Sequence, residues 1–322
     1  MTELKAYTHY VEDELRKLNF PDVPLDLYEP LRYFLALGGK RIRPTLTLLG
    51  AELFETNKEE VISQALAIEI FHNFTLVHDD IMDDAPLRRN QTSVHEKWNE
   101  NVGILTGDIM LIKAFQLLSE VDNERLPLVL ELFNKTAIEV CEGQQHDMDF
   151  EMRNDVSIHE YIEMIRLKTS VLLGCALKMG AIIAGASEKD QNAIYAFGQH
   201  VGIAFQIQDD ILDLYADPEK FGKQVGGDVI ANKKTILHLT AISKATKEQM
   251  EFSKQLQNEN NIELKVSRTK ELFDHLGVKE DCKERMQMHY TQAKQALAKI
   301  DVPDDRKKHL LELASFLMDR DL

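Results

Sequence analysis

The sequence is poor in residues that end secondary-structure elements, with 15 glycines and 8 prolines among 322 residues. It also lacks runs of alternating polar and apolar residues bounded by turn residues, and this argues against β-strands. Apolar residues instead recur at three- and four-residue spacing, as in 68–74 and 172–179. The pattern predicts an all-α protein, and a chain of this length can bury a substantial core.

Basic residues are also in the minority. The chain has 38 Lys and Arg against 54 Asp and Glu, for a net charge of −16. Nucleic acid is therefore not an expected partner, because its phosphates need a basic face. A phosphorylated small molecule is compatible with this charge if metal ions neutralise its phosphates.

Paired cysteines and long apolar runs are missing as well. The three cysteines form no CxxC motif, and a scattered, odd number is typical of reduced thiols in a cytoplasm. The N-terminus has no apolar signal core, and the longest apolar stretch, 171–185, is short and interrupted by Lys178. We therefore expect a cytoplasmic protein without stable membrane anchoring.

The helical pattern predicts about 10–13 helices without a long linker, and hence a single domain over residues 1–322. We expect these helices to form a bundle around a central cavity. The predicted helices are 2–18, 28–37, 44–54, 59–84, 103–120, 127–149, 158–185, 188–215 and 232–243, with three more between 246 and 322.

Two segments combine an apolar helical run with a cluster of aspartates. In each cluster the carboxylates stand at positions i, i+1 and i+4, so the first and last share a helix face about 6 Å apart along the axis. The clusters are Asp79-Asp80-x-x-Asp83 and Asp209-Asp210-x-x-Asp213. One such cluster suits a solvated face equally well. Two with the same spacing favour Mg²⁺ ions that bind a diphosphate, because hard cations select oxygen ligands.

Six motifs, in this order, resemble those of the trans-isoprenyl diphosphate synthases, or polyprenyl synthetases, over essentially the whole chain. They are GGKRIRP (38–44), HDDIMDDAPLRRN (78–90), EGQQHDM (142–148), LKTS (167–170), FQIQDDILD (205–213) and FGKQVGGDVIANKKT (221–235). The resemblance implies an isoprenoid synthase-like fold and a homodimer. It also implies two substrates, isopentenyl diphosphate and an allylic diphosphate.

The resemblance further implies which basic residues bind each diphosphate. Those matching the isopentenyl diphosphate site are Lys40, Arg43, His72 and Arg89; those matching the allylic diphosphate site are Arg88, Lys168 and Lys223, with Lys233 close to the second aspartate cluster. These roles are physically sensible, because lysine acts as a point charge and arginine as a planar fork on phosphate oxygens. A glycine turn beside them lets backbone N–H groups approach an anion.

By the same resemblance, about three Mg²⁺ ions, or Mn²⁺ in their place, are held chiefly by Asp79, Asp83 and Asp209. The expected reaction is head-to-tail prenyl transfer, in which the allylic C–O bond ionises and the double bond of isopentenyl diphosphate attacks the carbocation. The remaining residues expected near the reacting atoms are Asp80, Asp210, Asp213, Thr169 and Gln206, and for Thr169 and Gln206 a structural role explains the residue equally well. Asp228 is expected to orient a lysine or a metal-bound water, or else to be a helix N-cap.

Product length depends on the helix preceding Asp79. Phe74 lies five residues before Asp79 and Thr75 four, and one helical turn of 5.4 Å is close to one isoprene unit. In the family, a single aromatic residue five positions before the motif resembles the geranylgeranyl type, whereas aromatics at both positions resemble the fifteen-carbon type. The small Thr75 therefore favours C20 over C15. Phe71, one turn deeper, is either a second floor or a core residue.

Two other functions fit part of the pattern. A terpene cyclase would share the helices and the first aspartate cluster, but its second metal motif, (N/D)DxxSxxxE, is not found in the sequence. A non-catalytic subunit of a heteromeric prenyl synthase would usually lose aspartates or basic residues, and this chain has both sets. The repeated aspartate cluster favours chain elongation.

Overall fold

The computed structural model describes residues 2–216 and 225–318. Helices dominate this part of the chain, and the prediction of an all-α protein is confirmed. The helices of the first half are α1 (Thr2–Lys17), α2 (Leu25–Ala36), α3 (Ile42–Glu52), α4 (Ile62–Met82), α5 (Val94–Lys97), α6 (Glu100–Leu118) and α7 (Leu126–Met152), with a 3₁₀ turn at Lys58–Glu60.

The second half continues in the same way. Its helices are α8 (Ile158–Ile165), α9 (Val171–Ile183), α10 (Glu188–Tyr215), α11 (Gly227–Ile230), α12 (Ile236–Lys244), α13 (Lys247–Gln257), α14 (Ile262–His275), α15 (Val278–Ala298) and α16 (Lys308–Met318). A π-helical turn, Arg166–Ser170, joins α8 to α9. The predicted helix over 158–185 is thus helical throughout 158–183, with a π turn inside it that the sequence pattern did not predict.

The chain divides into two compact units, each built from several segments. The first comprises Met1–Asn134, Cys175–Ile194 and Asp301–Leu310; the second comprises Lys135–Gly174, Tyr195–Ile300 and Leu311–Leu322. Helices α7, α9, α10 and α16 contribute residues to both units. The single domain and its central cavity stay predictions.

Helix α4 forms the core of the first unit. Residues 64–71 are all buried, six of them apolar, and α3 and α6 pack against this helix. Gly107 of α6 allows the close approach, because a Cβ atom there would lie 2.1 Å from Nε2 of His78. The last turn of α4 carries the first aspartate cluster, so this packing fixes the position of the cluster.

In the second unit, α10 has the corresponding role. Its buried residues Ile203, Ile207 and Ile211 recur every fourth position and pack in one apolar cluster with residues of α8, α12, α14 and α15. The second aspartate cluster lies in the last two turns of this helix. Both clusters therefore lie at the end of a core helix, as the sequence predicts.

A two-stranded hairpin follows the first aspartate cluster and was not predicted. Leu87–Arg88 pairs antiparallel with Gln91–Thr92. Arg89 and Asn90 between the strands both have positive φ, 53° and 61°, which is the requirement of a two-residue type I′ turn. The turn therefore gives adjacent arginines, Arg88 on the strand and Arg89 in the turn, different directions.

Candidate active site

The first aspartate cluster ends helix α4. Asp80 is 1% exposed, Asp79 is partly exposed, and the exposed Asp83 is the C-cap, with its N–H donating to the carbonyl oxygen of Asp79 at 2.9 Å. Carboxylates at a helix C-terminus are unfavourable, because the helix dipole places negative partial charge there. Cations, from side chains or from bound metal, are therefore needed to offset the negative charge at this helix end.

Arg88 supplies one of these cations. Its Nε donates to Asp80 Oδ1 at 2.8 Å, its Nη2 donates to the same oxygen, and Nη2 lies 3.9 Å from Asp79 Oδ2. Burial raises the pKa of Asp80 despite these bonds. Asp80 therefore anchors the hairpin to α4, while Asp79 and Asp83 are more accessible.

The glycine loop before α3 meets the hairpin turn. Arg89 Nη1 donates to the carbonyl oxygen of Gly38, and a Cβ atom on Gly39, whose φ is +154°, would lie 3.1 Å from Nη2 of Arg89. Only glycine fits this position without displacing the guanidinium. Lys40, next in sequence, is exposed.

Arg43 and His72, two more of the residues predicted to bind isopentenyl diphosphate, contact each other. Arg43 Nη1 lies 3.1 Å from His72 Nε2, and Nε of Arg43 is buried without a hydrogen-bond partner among the described residues. Burial, and then the charge of Arg43, hold the pKa of His72 well below its usual value, so the imidazole is neutral. Burial lowers the pKa of Arg43 to about 10, which leaves it charged at neutral pH.

The structure thus brings together Arg43, His72 and Arg89, and Lys40 follows the glycine loop beside them in sequence. The carboxylate that balances them, Glu69, was not predicted. It is 2% exposed and accepts a hydrogen bond from Arg41, which is also buried. Its position inside an apolar run, IEIF, was the available sequence signal.

In the second unit, Asp210 is the buried member of the aspartate cluster. It accepts hydrogen bonds from the hydroxyl of Tyr161, from Gln206 Nε2 at 3.3 Å and from the backbone N–H of Ile236 at 3.2 Å. Burial, with the charge of Asp228, raises its pKa to about 7. Asp210 therefore has the same anchoring position as Asp80, with a tyrosine in place of the arginine.

Asp213 and Asp228 lie side by side. Asp213 Oδ2 accepts from the backbone N–H of Asp228 at 3.0 Å, and burial together with Asp213 raises the pKa of Asp228 to about 6. A small pocket opens beside them, and the exposed Lys233 is part of its lining. Asp209, like Asp213, is partly exposed.

Lys168 and Thr169 lie in the π-helical turn. A single π turn inserts an extra residue into a helix and is frequent at functional sites. Lys168 Nζ lies 2.6 Å from Asp147 Oδ2, and Asp147 belongs to the EGQQHDM motif. Thr169 is partly buried beside it. Lys223 lies outside the described residues.

The two possible chain-length residues of α4 have different surroundings. Phe71 is 1% exposed and its ring lies between Phe74 and Phe133, with centroid distances of 5.6 and 4.9 Å. Phe74 is partly exposed and also contacts the ring of His78 at 4.8 Å. The hydroxyl of Thr75 donates to the carbonyl oxygen of His72 at 2.8 Å.

Comparison with known proteins identifies the kind of site. Residues 25–275 match the family model of the polyprenyl synthetases. The geranylgeranyl pyrophosphate synthase of Geoglobus acetivorans is 37% identical over 320 residues, covering 99% of this chain and 98% of the relative.

Solved structures agree with this match. A geranylgeranyl pyrophosphate synthetase from Pyrococcus horikoshii has a TM-score of 0.93 and 34% identity, covering 99% of this chain and 98% of its own. A Corynebacterium glutamicum geranylgeranyl pyrophosphate synthase, described as complexed with isoprenyl diphosphate and magnesium, has a TM-score of 0.87 and 26% identity, covering 98% of this chain and 99% of its own.

Proposed function

The chain belongs to the polyprenyl synthetase family, and on this basis we propose that it condenses isopentenyl diphosphate head to tail with an allylic diphosphate. The proposed product is an all-trans C20 prenyl diphosphate. One observation of the structure carries the proposal: Arg43, with an unpartnered buried N–H among the described residues, lies against neutral His72 in the unit that holds Asp79 and Asp83. Such a donor is suited to a phosphate oxygen.

Magnesium fits the residues present. Asp79, Asp83 and Asp209 offer only carboxylate oxygens, and each is more exposed than the buried Asp80 or Asp210 of its cluster. When bound, Mg²⁺ neutralises the allylic diphosphate and makes it a better leaving group. We propose about three ions per site, with Mn²⁺ able to replace them.

The side chains have separate tasks in this reaction. Lys40, Arg43 and Arg89 bind the diphosphate of isopentenyl diphosphate, and neutral His72 orients Arg43. Arg88, Lys168 and Lys223 place positive charge near the leaving diphosphate.

As the allylic C–O bond ionises, the oxygens of Thr169 and Gln206 stabilise the carbocation by their dipoles. The C=C electron pair of isopentenyl diphosphate then forms the new C–C bond. The released diphosphate accepts the proton that restores the double bond.

Phe74 sets the product length in this proposal. Its partly exposed ring is available to a growing chain that runs back along α4, and Phe71 supports that ring from the core. Because Thr75, next to Phe74, is small, it leaves space that an aromatic side chain at position 75 would fill. The support for a C20 product is therefore the single aromatic side chain, Phe74, that lies five residues before Asp79 in the sequence.

We also propose a homodimer. Helix α6 exposes Ile104, Leu105 and Ile112 by 44%, 56% and 62%, and spacings of seven and eight residues place them on one stripe. Among the described helices, α6 is the one long and apolar enough to cross a membrane. It carries Asp108 and Lys113 at mid-helix, which disfavours hydrocarbon. A second copy in the cytoplasm is the proposed partner of this face.

The decisive experiment incubates the purified protein with Mg²⁺, radiolabelled isopentenyl diphosphate and, separately, dimethylallyl, geranyl or farnesyl diphosphate. Chromatography of the dephosphorylated products should show a C20 alcohol as the main product. Cyclic hydrocarbons from an allylic substrate alone would instead indicate a terpene cyclase. Absence of any product with all three primers would indicate a non-catalytic subunit.

A further inference from the structure

Three side chains next to the first aspartate cluster are not used by the proposed reaction. Asp84 directly follows Asp83, and His95 and Glu96 belong to the short helix α5. His95 Nε2 lies 4.0 Å from Asp84 Oδ1 and 3.8 Å from Glu96 Oε1. One ligand atom from each residue lies within 4.8 Å of the other two.

His95 is the unusual member of this group. Its side chain is 5% exposed, and neither ring nitrogen has a hydrogen-bond partner among the described residues. A buried nitrogen without a partner costs free energy, and most buried polar atoms are paired. The imidazole therefore lacks a hydrogen bond, and its Nε2 atom lies beside two carboxylates.

The chemistry of the donors separates this group from the aspartate cluster. Mg²⁺ prefers oxygen ligands, whereas one imidazole with two carboxylates is a donor set of zinc and related metals. From these contacts we propose that Asp84, His95 and Glu96 bind a divalent transition-metal ion of the zinc class. The site is distinct from the magnesium site of the proposed reaction and does not depend on it.

The distances between the ligand atoms of these three residues allow a zinc ion to bind after small side-chain movements. Ligand atoms about 2.0–2.2 Å from a tetrahedral zinc ion lie about 3.4 Å apart. The observed separations are 3.8 and 4.0 Å to His95, with an upper limit of 4.8 Å for the group. Asp84 and Glu96 are 95% and 49% exposed, so their side chains can close on the buried imidazole by rotation.

Metal binding here would connect two elements that flank the hairpin. Asp84 follows the end of α4, and α5 begins two residues after the second hairpin strand. A metal between them holds both ends of the hairpin that carries Arg88 and Arg89. The ion is thus structural, and solvent completes its coordination.

Cobalt is the appropriate probe, because Co²⁺ replaces Zn²⁺ and absorbs visible light. The full chain is titrated with Co²⁺ in saturating Mg²⁺, which occupies the aspartate clusters. We expect one Co²⁺ per chain with a visible band, and about tenfold or more weaker binding in Asp84→Asn and Glu96→Gln. The matched control, Glu100→Gln, removes a nearby exposed acid of α6 and should bind like the parent.

Two further variants complete the test. Asp79→Asn/Asp83→Asn should retain the band, and His95→Gln should lose it; circular dichroism verifies folding. Because Asp84 and Glu96 are exposed, their variants decide the question even if His95→Gln does not fold. Unchanged binding in both carboxylate variants, loss of the band in Asp79→Asn/Asp83→Asn, or no uptake in Mg²⁺ would each overturn the proposal.

Discussion

Arg41 and Glu69 form a buried ion pair, with Nη1 of the arginine 2.6 Å from Oε1 of the glutamate and side chains 0% and 3% exposed. Arg41 also bonds Glu12 at 2.7 Å and the carbonyl oxygen of Leu35 at 3.1 Å. It is the residue between Lys40 and the start of α3. The pair therefore fixes the glycine loop to α4, ten residues before Asp79.

Replacement of Glu69 by Gln should destabilise the protein strongly. The change leaves the Arg41 charge buried with one carboxylate fewer, and breaking such a pair typically costs about 3–5 kcal/mol. Urea denaturation measures the free energy of unfolding. Glu59→Gln is the matched control, because Glu59 is exposed in the same unit. A loss in Glu69→Gln no larger than in this control would show that the pair does not stabilise the loop.

Asp79 and Asp80 should respond differently to the same substitution. Asp79→Asn removes a proposed Mg²⁺ ligand, so activity should fall by about 100-fold or more, with a higher Mg²⁺ requirement and little change in stability. Asp80→Asn weakens the anchor of Arg88 and should lower the free energy of unfolding by about 1–3 kcal/mol. Mg²⁺ titrations of the prenyl transfer rate and thermal melting measure the two effects.

The opposite result is also informative. If Asp80→Asn keeps the parent's stability but Asp79→Asn loses it, the buried carboxylate is not the anchor. Asp210, with its Tyr161 partner, provides an independent check in the second unit. Tyr161→Phe should lower the free energy of unfolding without changing the Mg²⁺ concentration at half-maximal rate.

The sequence predicted the helices that carry the site, because their apolar periodicity is long and regular. The predicted 188–215 coincides with α10, and 59–84 exceeds α4 by a few residues at each end. Which aspartate of each cluster is buried was not predicted. Spacing places Asp79 and Asp83 on one face, but the burial of Asp80 depends on Arg88, which the hairpin supplies from eight residues away.

Two local features were missed for physical reasons. The hairpin turn uses Arg89 and Asn90 where glycine is the usual indicator of positive φ. The π turn at 166–170 has a five-residue backbone hydrogen-bond spacing, seen where the N–H of Val171 donates to the carbonyl oxygen of Arg166. Near the C-terminus, four helices replace the predicted three, because Gly277, with φ of 65°, separates α14 from α15.

Phe74→Ala should lengthen the product. Removing the ring opens the path along α4, and one helical turn corresponds to about one isoprene unit. We expect part of the product to shift from C20 to C25, measured by chromatography of the dephosphorylated alcohols. Phe71→Ala is the comparison, because its ring is buried against Phe133 and its loss should mainly lower stability. An unchanged product distribution in Phe74→Ala would refute the assignment.

Acidification should destabilise the protein through His289. Its Nδ1 lies 3.2 Å from Nδ1 of His200, and burial, with the charges of His200 and Arg285, lowers its pKa from 6.5 to about 4. As the pH falls below about 6.5, the unfolded chain binds a proton that the folded chain does not accept. This contribution to stability is therefore complete above pH 6.5 and declines as the pH falls towards 4.

The measurement is the difference in the free energy of unfolding between the parent and His289→Asn, taken from pH 7.5 to 4.5. Asp210 and Asp228, whose pKa values are raised to about 7 and about 6, act in the opposite direction, because the folded chain protonates them first. They are present in both proteins, so they cancel in the difference. The parent should lose more stability than His289→Asn below pH 6.5; parallel curves would mean that the imidazole pair is not sensitive to pH.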